Sequence, residues 1–176
     1  EMIELQFSVA MAGGVLNTIN TRLDPETIAG ILDHAEPTVL VFDAELGDVL
    51  VDALSRCTHQ LAHLVVISSQ GLELSDQLTH VVDYEDFVEL GDPAVAWSLP
   101  TSEWDAFGLN YTSGTGGKPK GVVHAHGGYL VGMLATSALV FDLQPVRDVL
   151  FVVATPGWIT GQSYMIAAPL LCRVPS

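Results

Sequence analysis

The sequence predicts an α/β fold of mixed, largely parallel sheets with flanking helices. Three observations carry that expectation: short continuous apolar runs alternate with segments of helical periodicity, Gly and Pro punctuate several of the junctions, and 49% of the 176 residues are apolar, enough for a packed core. Taken in order, Ile3, Phe7, Ala10 and Met11 recur at helical spacing until Gly13-Gly14. Val15 to Ile19 reads as a short strand. Asp24-Pro25-Glu26 is a helix start, with Asp24 as N-cap and Pro25 at the first helical position. That helix presents Ile28, Ile31 and Leu32 and ends near Glu36-Pro37. Val39 to Phe42 is expected to be a buried strand, Ala44 to Cys57 an amphipathic helix, and Leu64 to Ile67 a second buried strand.

A polar loop (68–79) follows, then a short strand at Val81-Val82 and a short helix from Tyr84 to Leu90. Gly91 to Ser102, with Pro93 and Pro100, reads as a connector, so residues 1–90 and 103–176 are expected as two pieces joined by 91–102. Ala106 to Tyr111 is a strand entering a Gly-rich loop. Gly121 to Ala125 is another strand, Gly128 to Phe141 an apolar helix, and Val149 to Ala154 a last buried strand.

Six Lys and Arg against 21 Asp and Glu give a net charge of −15. Such a surface repels nucleic acid and anionic membranes unless positive charge is concentrated locally. The only lysines, Lys118 and Lys120, lie two residues apart in the Gly-rich loop. Cys57 and Cys172 show no metal-ligand or redox spacing, and read as reduced thiols of a cytoplasmic protein. The uncharged stretch between Asp148 and Arg173 is interrupted by Pro156-Gly157, Gly161 and Pro169, which argues against a membrane span. The chain opens at Glu1 inside a periodic segment and stops at Ser176 just past another, so it is expected to be a fragment.

Leu109 to Gly121 carries the chemistry. Glycines let a backbone bring its N–H groups close to an anion, hydroxyls add donors, and the lysine pair adds charge. Thr112, Ser113, Gly114, Thr115, Gly116, Gly117, Lys118, Lys120 and Gly121 are therefore candidate phosphate-binding residues. Pro119 breaks both the Walker spacing and GxGxxG. A Gly-rich β-hairpin turn with solvated lysines is the alternative from the residues alone.

The run from Tyr111 to Gly121 resembles the signature loop of the adenylate-forming superfamily, whose usual form is YTSGTTGKPKG, with Gly116 standing where that family usually has Thr. The segment Ala12 to Leu23 is similar to medium-chain acyl-CoA synthetases. Val122 to Leu130 and Gly157 to Tyr164 are more similar to acetyl-CoA-synthetase-like members. The resemblance implies a piece of the large N-terminal domain of an acyl-CoA synthetase. Its parent would activate a short- to medium-chain carboxylic acid with ATP and Mg2+ and transfer it to CoA, with the C-terminal remainder of the same enzyme as its partner. It further implies that the Ser/Thr/Gly run and Lys120 hold the ATP phosphates, and that Trp158, Thr160 and Gly161 lie at the acyl pocket; core packing of Trp158 stays open. His124 and His126 are expected to point to different sides and to be structural. The fragment alone is expected to be inactive. A phosphate-binding module without catalysis, or an inert product, are the rival readings.

Overall fold

In the computed structural model, which describes residues 1–68, 71, 73–97, 99–112 and 119–176, the elements follow local chemistry closely. Helix α1 (Met2–Met11) ends where Gly13 adopts φ +75° and the Gly14 N–H closes on the Val9 carbonyl at 2.8 Å. Strand β1 is confined to Leu16–Asn17. Helix α2 (Pro25–Ala35) begins as expected: one Asp24 carboxylate oxygen accepts from the Thr27 N–H at 2.9 Å and the other from its hydroxyl at 2.8 Å. Pro25 occupies a position whose N–H needs no partner. The helix stops because Glu36 turns left-handed, at φ 46°.

Strand β2 (Val39–Asp43) leads into a 3-10 turn (Ala44–Leu46), which Asp43 caps, and then α3 (Gly47–Arg56). The helix expected from Ala44 thus begins in the tighter form. Strands β3 (His63–Ile67) and β4 (Val81–Asp83) follow, and Asp83 caps α4 (Tyr84–Glu89) through the Glu85 N–H at 3.0 Å. Strand β5 (Ala106–Thr112) and strand β6 (Lys120–Ala125) precede α5 (His126–Leu139). The last helix is composite: α6 (Ile159–Gly161), a π-helical stretch (Gln162–Ala167) and α7 (Ala168–Cys172). Pro169 lacks the N–H an α-helical ladder would use, and the wider π turn sits immediately before its segment.

Two units form. Among the described residues, one holds Thr21–Ala96 with Pro119, and the other holds Glu1–Asn20, 97–112 and Lys120–Ser176. In the first, β2, β3 and β4 form a parallel sheet in that order, with Val39 opposite His63 and Leu64 opposite Val81. Phe42, Leu50 and Val66 form its core. The loop expected to be polar contributes Leu74 and Leu78 to this core. Ile31, Leu32 and Val65 are fully buried, each side chain contributing about 1.5–3 kcal/mol on leaving water.

In the second unit the order is β1-β5-β6: β1 runs parallel to β5, and β5 antiparallel to β6. Residues 1–20 join this unit because Leu16 pairs with Gly108 and Asn17 with Leu109. Val149 to Ala154, expected as a buried strand, is not one: it has no ladder partner among the described residues. Val149, Phe151 and Val153 are 69%, 86% and 90% exposed, and the Leu150 N–H bonds to the Pro175 carbonyl at 2.9 Å. An apolar run specifies burial only where another element supplies hydrogen bonds and cover. Among the described residues, no helix is long and apolar enough to cross a membrane.

Candidate functional site

Strands β5 and β6 flank the Gly-rich run. Thr112 pairs with Lys120, and Tyr111 with Gly121, so the described flanks of that run meet at one end of the sheet. Thr112, Lys120 and Gly121 are exposed there. Ser113, Gly114, Thr115, Gly116, Gly117 and Lys118 lie outside the described residues. The side chains of Asn110, Thr112, Val122 and His124 share one sheet face, as the two-residue repeat of a strand and the observed register require.

Against that face lies the turn Thr155 to Trp158. A cavity of about 100 Å³ opens between them, lined by Asn110 and Thr112 on β5, Val122 and His124 on β6, and Trp158 and Ile159 on the turn. Trp158, 41% exposed, lines this cavity. Thr160 points to solvent, outside this lining. Gly161 is buried, and a Cβ there would lie 2.1 Å from the Thr155 carbonyl oxygen. A Cβ at Gly157 would lie 3.1 Å from the Ile19 carbonyl oxygen. The structure therefore brings Thr112 and Trp158 to one cavity, while Gly161 allows the turn to close.

Behind the cavity sits a polar network that the sequence reading did not single out. Thr18 and Asn110 are each 7% exposed and Gln162 is 9% exposed. The Asn110 side-chain amide donates to Thr18 Oγ1 at 3.1 Å. The Gln162 amide donates to the same hydroxyl oxygen, and to the Pro156 carbonyl at 3.1 Å. The buried Ser163 hydroxyl meets the Tyr129 hydroxyl at 2.9 Å, which ties α5 to the π-helical stretch. Asn and Gln attract notice in a sequence mainly when they fall in turns; nothing local marks these as buried.

His124 and Ile159 also line a second cavity, of about 380 Å³, bounded by Gly128, Gly132 and Met133 of α5. His124 packs on Tyr129, with ring centroids 5.3 Å apart, and Tyr129 packs on Phe107, which packs on His126. The two histidines thus join one aromatic row instead of pointing to different sides: His126 is the first residue of α5 and not a strand residue, and its ring packs on Phe107. Burial pushes the His124 imidazole below its usual range, and pushes the Tyr129 and Tyr111 phenols up. All three side chains are therefore uncharged at neutral pH. Among the described residues, no three His, Cys, Asp or Glu side chains converge as a metal site.

The AMP-binding enzyme family model matches residues 1–175. The chain is 45% identical over 135 residues to "Probable acyl-activating enzyme 6" of Arabidopsis thaliana, covering 74% of this chain and 24% of that protein. It is 39% identical over 138 residues to "2-methylpropanoate--CoA ligase CCL4" of Humulus lupulus, again covering 74% and 24%. The chain thus spans about a quarter of the length of these curated relatives. The solved structure of Brucella canis acyl-CoA synthetase matches 99% of this chain and 30% of its own, with a TM-score of 0.81 at 20% identity, a likeness of fold.

Proposed function

Because the chain belongs to the AMP-binding enzyme family, we propose that it is the phosphate-loop portion of an ATP-dependent acyl-CoA synthetase acting on a short- to medium-chain carboxylic acid. The observation that carries this reading is the placement of Thr112, where the phosphate loop begins, on the same cavity as the Trp158 wall. An acid bound against that wall would present its carboxylate towards the loop, where ATP phosphates would be held. The carboxylate attacks the α-phosphorus, pyrophosphate leaves, and the CoA thiol then displaces AMP from the acyl-adenylate.

The chain's own residues act in this scheme by holding and orienting. Loop N–H groups, hydroxyls and Lys120 would stabilise the charge gathering on the leaving pyrophosphate. Uncharged His124 and the indole would shield the reacting carboxylate from water. Mg2+ would accompany the ATP phosphates, since it binds substrate phosphates with few protein ligands. The relative named for 2-methylpropanoate supports a small acid. We place the enzyme in the cytoplasm; a tagged chain confined to an organelle would overturn that.

Titration of the 176-residue chain with ATP tests the loop. The expected result is binding that Lys120→Ala weakens about 10- to 100-fold, the loss of one charge-assisted contact. Absence of binding by the parent chain would overturn the phosphate-loop assignment. The 176 residues alone are proposed to bind but not ligate, so acid-dependent ATP–pyrophosphate exchange by the isolated chain would refute that part.

A further inference from the structure

We infer that Gln162 is a positioning residue that locks the Trp158 wall onto the strand carrying the phosphate loop. Its side-chain amide spends both hydrogens on this task, one on Thr18 Oγ1 of the β1 segment and one on the Pro156 carbonyl of the turn. The Gln162 backbone N–H holds the Trp158 carbonyl at 3.2 Å. Thr18 Oγ1 accepts a second amide hydrogen from Asn110 at 3.1 Å, which occupies both lone pairs of the hydroxyl. The chain of bonds therefore runs from β5, two residues before Thr112, through Thr18 and Gln162 to the turn that aims Trp158.

Each member is at least nine-tenths buried, so water does not replace a lost partner cheaply. The adjacent Ser163 fastens the same helical stretch to Tyr129 on α5, so the π-helical start is gripped from two sides. Gly157 and Gly161 supply the close approach, and Gln162 supplies the direction. Trp158 has no side-chain hydrogen bond of its own among the described contacts, and its backbone is what the network holds. The value of this placement for catalysis rests on the acid-activation reading above; the placement itself does not.

The test separates the two. In a chain carrying Trp97→Phe and Trp104→Phe, 5-fluorotryptophan reports Trp158 alone by fluorine NMR. The parent is expected to show one narrow resonance. Gln162→Leu, of similar size and without donors, is expected to split or broaden it, and so is Thr18→Val, while Thr18→Ser keeps the parent line. Should Gln162→Leu fail to fold, Thr18→Val decides the matter, since it removes only the shared hydroxyl. An unchanged narrow line in Thr18→Val overturns the inference. In the complete synthetase, Gln162→Leu is expected to raise KM for the acid roughly tenfold, with KM for ATP nearly unchanged. A merely structural role would raise both together. Failure of the parent chain to bind ATP would sink the functional reading and leave the resonance result standing.

Discussion

Gly161→Ala sets two known effects against each other at one atom. Gly161 has φ −63° and ψ −50°, ordinary helical backbone, so alanine meets no conformational strain there. In a helix the substitution would be worth about 0.5–1 kcal/mol in favour of alanine. The new Cβ, however, would lie 2.1 Å from the Thr155 carbonyl oxygen and 2.6 Å from its carbon. Both are backbone atoms of the turn that carries Trp158, and neither can swing aside as a side-chain tip would. The turn must move by more than 1 Å to reach ordinary contact, at about 1–3 kcal/mol by the usual cost of overpacking. The net expectation is destabilisation by about 1–2 kcal/mol, or roughly 2–8 °C in Tm for a chain of this size. Trp97, Trp104 and Trp158 all lie in the unit that contains Gly161, so tryptophan fluorescence during urea unfolding reports that unit alone. Gly132→Ala is the control: it lies inside α5 of the same unit with nothing within 4 Å of its would-be Cβ, and is expected to stabilise by about 0.5–1 kcal/mol. A Gly161→Ala midpoint at or above the parent's would refute the steric argument.

Four further outcomes are expected. The Asp33 carboxylate accepts from Cys57 Sγ at 3.0 Å and from the Thr58 and His59 N–H groups at 2.7 and 2.8 Å, which lower its pKa from 3.8 to about 2. Its contribution is therefore full above pH 3.8 and lost as pH falls towards 2; Asp33→Asn should flatten that portion of a pH–stability curve followed by circular dichroism. Burial first and then Asp33 push the Cys57 thiol up to about 11, so its alkylation at neutral pH should be slow and should quicken in Asp33→Asn, as peptide mapping would show. The exposed row of Val149, Phe151 and Val153 should drive concentration-dependent association in sedimentation, which Phe151→Lys suppresses; a monomeric parent chain at high concentration contradicts this. Gly116→Thr, restoring the hydroxyl usual in the family, should tighten ATP binding about fivefold, the worth of one hydrogen bond of about 1 kcal/mol; weaker binding would mean that the loop needs glycine there.

Several features were legible in the residues themselves because their causes are local. Asp24-Pro25 announces α2 through a cap and a ring that fixes φ, and the observed bond to Thr27 is the one such a cap makes. The parallel pairing of β2 and β3 follows from two short apolar runs separated by a helix. The phosphate-binding expectation for the loop rests on hydroxyls, glycines and both lysines crowding into one short run of an otherwise acidic chain. The partners of strands and the fate of buried polar groups were not visible, because they depend on contacts far apart in sequence. Nothing within Val15–Ile19 states that its pairing partner is β5, some ninety residues later, rather than the neighbouring β2. Val149 to Ala154 has the composition of a buried strand, yet only a supplied ladder and cover make one, and neither is present among the described residues. Thr18, Asn110 and Gln162 are each unremarkable in their own surroundings. The tertiary fold alone decided that they meet, because a hydrogen bond between buried groups requires their backbones to be brought within a few tenths of an ångström of one distance, and local sequence exerts no such control across the sheet.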